Sequence, residues 1–556
     1  MLVYGDHSEA VDPRAQLVEI ADRLRGGWLN HDALTGCFID LAGVAQGLAD
    51  ADFHACGCDR PRPAEAMLLE QLTGLASTLL RSWDQGCGGG PGQPLRIPVP
   101  LPGQVQIRLP EGYAFYALRP EAYGLAARRS ELTGPPRVIG LRSIGTGLAC
   151  MAAAALGAPP PLTLRPIGNP FDRRLNVAPD LERQILSGDC HYVIVDEGPG
   201  MSGSSFGAVA DWLEEHGIAP ERVAFLPSHA GALGPQASAR QRQRWASAQR
   251  PVVSLERPEE GWLAPLIGRP SQPLTDLSGG AWRAAAAIPE QDWPSIDPMW
   301  ERRKFLVATA SGEWLVKFAG LGWIGERKLQ LARELHLAGF GSEPAGLVRG
   351  WLVTRWHSDA VVARPSHAEL TAYLTFRANL PAPGAGASPA QLLTMIRRNL
   401  PALANWSPDL DRLHPTPVCT DNRMARYEWL RLPSGQLLKA DALDHHATHD
   451  LIGCQDVAWD VAGAIVELGL EPDEAGRLAS ATGADSALLD FYLTAYTAFR
   501  IGAHRMSAST LHHWPEEQHR HLLAAKQLER RLASVDAVEH AGDLDEMPAV
   551  GVEPGA

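Results

Sequence analysis

The stretch that most constrains the fold is His191 to Phe206, HYVIVDEGPGMSGSSF. Tyr192 to Val195 is an apolar, β-favouring run without polar alternation, the pattern of a strand buried on both faces of a parallel sheet. Ala208 to His216 reads as the helix that follows, so the residues between form a strand-to-helix crossover. A parallel strand needs neighbours running the same way, which commits this part of the chain to alternating strands and helices. Asp196 and Glu197 then stand at the strand's carboxyl end, followed by Gly200, Met201, Ser202, Gly203, Ser204 and Ser205. Carboxylates there can accept hydrogen bonds from vicinal hydroxyls, while loop amides at the helix N-terminus face an anion. The combination suits a sugar phosphate.

A second crossover lies upstream. Arg137 to Leu141 is strand-like and runs into Arg142-Ser143-Ile144-Gly145-Thr146-Gly147 and an Ala-rich helix. Glu111 to Leu118 fits the first strand of the series, Leu162 to Arg165 the third, and Arg222 to Leu226 the one after the acidic motif. Together the two loops resemble type I phosphoribosyltransferases, whose motif joins a hydrophobic strand, two acids and a small Thr/Ser/Gly loop. Here the second acid is Glu197 rather than Asp, serines replace the commoner threonines, and the loop is one residue longer. The resemblance implies a ribose held by Asp196 and Glu197 as catalytic residues. It also implies a 5-phosphate at Gly200 to Ser205 and pyrophosphate at Arg142, Ser143, Gly145, Thr146 and Gly147. The family's mobile loop would fall on Gly168 to Arg174, with Arg173 and Arg174 as lid residues or as a solvated surface pair.

A different pattern begins near Trp300. Lys304 to Ala308 and Glu313 to Phe318 read as a hairpin around Ala310-Ser311-Gly312, leading to a helix over Gly325 to Gly339. This order resembles the N-lobe of protein-kinase-like and aminoglycoside-phosphotransferase-like enzymes, which implies Lys317 and Glu326 as the phosphate-gripping pair, with Glu334 as an alternative partner. Gly350 to Trp356 would enter the hinge. The resemblance continues through Asp421 as the catalytic aspartate, Asp441 as the metal ligand with Asn422 as a second, and Asp460 as the brace of the catalytic loop. Arg426 stands where the family has Asn, and no His precedes Asp421 in the usual slot. His445, His446 and His449 crowd the metal-binding segment, as ligands or as buried hydrogen-bonding groups.

Composition frames the remainder. With 556 residues the chain exceeds any single domain, and its net charge of −14 argues against nucleic acid and anionic membranes as partners. Residues 1–13 lack a basic-then-apolar leader, and the apolar stretch around Leu148 to Leu162 is short and Pro-broken, so a cytoplasmic protein is expected. Eight scattered cysteines form no disulfide or metal framework, and Cys56-Gly-Cys58 has the wrong spacing for zinc. The histidines near Trp514 suit packing or a solvated helix face.

The expected architecture is an α/β multidomain chain. It comprises a helical region over 1–100, a parallel-sheet phosphoribosyltransferase-like domain over 104–260, and a Pro- and Gly-broken linker over 261–298. A bilobal kinase-like α+β domain over 299–535 and a disordered tail over 536–556 complete it. The expected function is a bifunctional transferase for small molecules, using phosphoribosyl pyrophosphate, ATP and Mg²⁺. A phosphoribosyl-ligand sensor controlling the kinase-like half, or an inactive scaffold, are the alternatives. The oligomeric state is left open, with a homodimer as one option.

Overall fold

The computed structural model describes residues 1–5, 8–200 and 202–542. Met201, expected in the phosphate loop, and residues 543–556 of the expected tail lie outside the described residues. The part of that tail over 536–542 belongs to a helix, Pro515–Gly542.

Four strands form the parallel sheet, in the order Val223–Leu226, His191–Val195, Pro136–Leu141, Leu162–Leu164. Their side chains alternate between two cores. Val138, Val193 and Val195 face one, whereas Ile139, Leu141, Tyr192 and Ile194 face the other. Such double burial is what the unbroken apolar strands demanded, at roughly 1.5–3 kcal/mol for each large side chain. One face is covered by the helix Gly145–Leu156, on which the N-terminal helices His31–Cys56 and Pro63–Asp84 pack. That core continues without a break to Val316 and Val353 of a second sheet.

In chain order the central strand Pro136–Leu141 is followed by the edge strand Leu162–Leu164, and then the chain crosses to the opposite side for the acidic-motif strand. This reversal makes a topological switch point. Ligands bind at such points because the loops on either side diverge and leave a crevice. Glu111 to Leu118, expected as a strand, instead forms a short helix, Glu111–Phe115, ended by Ala117 at φ +54°. Tyr113, Ala114 and Phe115 are buried on all sides rather than alternately, and a short apolar run cannot distinguish those cases. Gly168 to Arg174 forms a small hairpin, Ile167–Asn169 against Asp172–Arg174.

The second sheet is antiparallel, ordered Thr275–Asp276, Lys304–Thr309, Gly312–Phe318, Trp351–Arg355, Pro344–Val348. The expected hairpin is present, with Lys304 opposite Lys317 and Thr309 opposite Gly312. Helix Trp323–Leu337 follows it. The C-terminal part is mainly helical, with a three-stranded sheet that includes Trp429–Arg431 and Leu437–Lys439. The chain's first residues join this part: the Leu2 amide donates to Asn399 Oδ1 at 2.7 Å, the Leu451 amide to the Val3 carbonyl, and the Gly5 amide to the His449 carbonyl. Among the described residues, no helix is long and apolar enough to cross a membrane.

Helices Ser486–Thr510 and Pro515–Gly542 are joined by His504 and His521, whose Nδ1 atoms lie 3.0 Å apart in a buried contact. Burial holds both imidazoles below the usual histidine pKa of 6.5, so both are neutral at pH 7. The unfolded chain gains protons below pH 6.5 while the folded pair resists them, so stability falls as pH drops from 6.5. Thermal melts at pH 7.5 and 5.5 should show this loss, and His521→Gln should shrink it; an identical loss in the variant would assign acid lability elsewhere.

Candidate functional site

Both expected phosphate loops open on one cavity of about 1380 Å³ at the carboxyl ends of the parallel strands. Asp196 and Glu197 line it, as do Arg142, Ser143, Gly200 and Ser205. The main chain of the acid pair is fixed from behind. Tyr123 donates its hydroxyl to both carbonyls, at 2.8 and 2.9 Å, and the Ser228 amide donates to the Glu197 carbonyl at 2.6 Å. Gly145 lies directly against this turn: a Cβ there would stand 2.8 Å from the Val195 carbonyl oxygen and 3.4 Å from Asp196 Oδ1. That close approach is the physical need for glycine in the upstream loop.

The helices Gly145–Leu156 and Ser204–Glu215 both start at the cavity, so two N-terminal dipole ends face it. Thr146 and Gly147 sit in the first turn of the former, their amides already bonded to the Ser143 and Ile144 carbonyls. The downstream loop turns through Gly200 at φ +56° and Gly203 at φ +68°, conformations that favour glycine. Its serines divide. Ser202 and Ser204 donate their hydroxyls to the Pro170 carbonyl, at 3.3 and 2.6 Å, pinning the 167–174 hairpin, whereas Ser205 faces the cavity. The Gly203 amide is taken by the Pro199 carbonyl. Arg173 lines the cavity and Arg174 sits outside, 3.8 Å from Asp172.

Arg142 departs from its expected role as a pyrophosphate ligand. Its guanidinium is fully buried, ion-paired to Asp59 and, at 3.1 Å, to Asp50, and lies over the Phe53 ring. Asp50 also pairs with Arg165. The cationic charge is neutralised by acids from the N-terminal helical layer, so Arg142 ties that layer to the sheet. Arg165 and Arg173 are the cations whose fields reach Asp196.

Burial pushes the Asp196 carboxyl up to about 7. Glu197 rises to about 8, chiefly through burial and then through the neighbouring charges of Asp196 and Glu111. Burying like charges together is costly, and such groups are poised to accept hydrogen bonds from a ligand that brings donors or positive charge.

The half expected to resemble a kinase brings most of its expected residues together, in different pairs. Lys317 bonds Asp441 and, at 2.5 Å, Asp444, while Glu326 is exposed on the first turn of its helix, which presents Lys328 inward instead. Glu334 accepts from Gln330. Asp460 accepts the Asp421 and Asn422 amides at 2.8 Å each, holding this turn of backbone from behind.

Asp421 itself has no exposed surface. Tyr373, Lys439 at 3.2 Å and His445 at 3.3 Å take its oxygens, and the cations Lys439, His445 and Arg377 hold its carboxyl well below the usual range despite burial. It cannot receive an acceptor's proton in this arrangement. His445 is raised to about 9 by Glu428 and by its bonds to Asp421 and Asp441, against the opposing effect of burial. It lies beside Asp421 although it comes later in sequence.

Asn422, at φ +68°, donates Nδ2 to the Gly453 carbonyl at 2.6 Å, which leaves Oδ1 buried without a hydrogen-bond partner. With the Asp441 carboxylate, that oxygen fits the hard oxygen ligands Mg²⁺ prefers. Sequence reasoning missed Arg302, Asp444 and Lys439. Lys439 is recoverable as the last residue of the strand before Asp441, but nothing local marks Arg302.

No family model matches the sequence, and no curated protein does. Among solved structures, the chain is similar to LicA in complex with AMP, at 14% identity over 43% of this chain and 91% of that one, with a TM-score of 0.31. Choline kinase LicA from Streptococcus pneumoniae gives 14% identity over 41% and 90%, TM-score 0.30. A choline/ethanolamine kinase family protein from Mesorhizobium loti gives 13% identity over 45% and 93%, TM-score 0.28. These values are too low to transfer a fold or an activity to this chain.

Proposed function

We propose that the parallel-sheet unit binds phosphoribosyl pyrophosphate and transfers its ribose 5-phosphate to a small nucleophile. The supporting observation is the placement of Asp196 and Glu197 at the switch point, with two helix N-termini opening on the same cavity. In this reading the two carboxylates accept hydrogen bonds from the ribose hydroxyls and hold the ring as its anomeric carbon becomes cationic. Amides around Ser143 to Gly145 and the loop beside Ser205 receive the two phosphate groups. Bound Mg²⁺ would neutralise charge on the departing pyrophosphate.

For the second half we propose ATP binding at Lys317, with Mg²⁺ held by Asp441 and Asn422 Oδ1. Phosphoryl transfer there requires Asp421 to leave its present partners; nucleotide binding does not. Isothermal titration with each ligand and Mg²⁺ tests both halves. Phosphoribosyl pyrophosphate should bind the wild type, and Asp441→Asn should weaken ATP binding without affecting it. Heat from neither ligand would leave the scaffold reading in place.

A further inference from the structure

The two candidate sites share a wall, the short helix Glu111–Phe115. On the cavity side, Gly112 is packed so closely against the Glu197 side chain that a Cβ would stand 2.9 Å from Oε1. On the far side, the carbonyls of the same helix serve the other half. Tyr113 accepts from the Leu321 amide at 3.0 Å, and Ala114 from Arg302 Nη1 at 2.9 Å. Arg302 is buried with its guanidinium 4.7 Å from the Phe115 ring. Its Nε reaches Asp444 at 3.1 Å, and Asp444 in turn holds Lys317 and Lys328 at 2.5 Å each. The wall helix, packed on the Glu197 carboxylate at one face, therefore leads through Arg302 and Asp444 to the lysine that a nucleotide phosphate needs.

Two of the three N–H donors of Lys317 are already held by carboxylates, and the negative charge of Asp444 opposes an incoming phosphate. Arg302 fixes Asp444 in that position because it is itself fixed to the wall helix. A ligand that draws the Glu197 carboxylate toward its hydroxyls moves it away from Gly112, on which it is packed. Because Gly112 has no spare room, a movement of the Glu197 carboxylate bears directly on this five-residue helix, whose Ala114 and Phe115 pack with Ile324 of the second half.

We propose that Arg302 is a latch: occupancy of the phosphoribosyl cavity releases the wall helix, frees Asp444 from Lys317 and raises the affinity of the kinase-like site for nucleotide. This rests on the phosphoribosyl reading of the cavity. Coupling between binding sites is reciprocal, so nucleotide tightens phosphoribosyl pyrophosphate by the same factor.

The test titrates full-length protein with a fluorescent ATP analogue and Mg²⁺, with and without saturating phosphoribosyl pyrophosphate, whose own binding is followed by calorimetry. About tenfold tighter analogue binding is expected in the wild type. Arg302→Gln should bind both ligands with the coupling gone. Asp444→Asn should bind the analogue tightly from the outset, and it carries the test if Arg302→Gln does not fold. Both ligands binding the wild type at unchanged affinity would overturn the latch alone, as would persistent coupling in either variant. Absence of calorimetric binding by phosphoribosyl pyrophosphate would instead overturn the cavity assignment, and the latch with it.

Discussion

Replacing Asp196 by Asn together with Glu197 by Gln should abolish binding of phosphoribosyl pyrophosphate while raising the thermal midpoint at pH 8. Hydrogen bonds to charged groups contribute about 1.5–3 kcal/mol each, so losing two weakens binding by roughly two to four orders of magnitude. The stability gain follows from the raised carboxyl pKa values of about 7 and about 8. In the unfolded chain both groups ionise near pH 4, whereas the folded site resists ionisation until pH 7 to 8. Their unfavourable contribution therefore grows as pH rises through that window and is absent below pH 4, where both states are protonated. Neutral amides escape it, for a gain of about 1–3 kcal/mol at pH 8. Melts at pH 4 and pH 8 with parallel calorimetry provide the check. A variant destabilised at both pH values, with ligand affinity intact, would make the pair an ordinary structural turn.

Arg142→Met should have the reverse signature: a large loss of stability with little direct effect on phosphate recognition. The substitution removes the cation that neutralises Asp59 and shares Asp50, both buried. Breaking a buried pair by deleting one partner typically costs about 3–5 kcal/mol, because the remaining carboxylate keeps its desolvation penalty without compensation. Asp59→Asn in the same background should recover part of that loss, since it removes the stranded charge. Denaturant melts of the single and double variants decide the matter. A stable Arg142→Met protein that has lost ligand affinity would return Arg142 to the pyrophosphate site.

These two cases mark where the sequence was legible. The motif strand, its two acids and its small-residue loop could be read because all their determinants are contiguous: apolar continuity sets the double burial, and the glycines mark tight backbone. Arg142 could be placed on its loop by the same reasoning, but its partner Asp59 lies 83 residues earlier. Long-range ion pairs leave no periodic trace, so the switch from phosphate ligand to structural tie was invisible. Lys317 and Asp441 were likewise visible as positions, and Asp460 lies against the Asp421 backbone, yet Lys317 pairs with Asp444 while the helix Trp323–Leu337 turns Glu326 to solvent. The Tyr113 to Phe115 run was misread because its burial comes from several neighbours at once, not from one sheet face.

The contacts of Leu2 to Gly5 bear on how the molecule is made. Their partners are Asn399, His449 and Leu451, so these residues find their native place only once a segment 397 or more residues further along has been synthesised. The C-terminal half is thereby completed by residues 2–5, and a fragment lacking them would leave Asn399 without its Leu2 partner and remove Val3 from the core that includes Ile452. Limited proteolysis after residue 5 would be felt first in that distant half, an outcome that no linear division of the sequence into successive units would suggest.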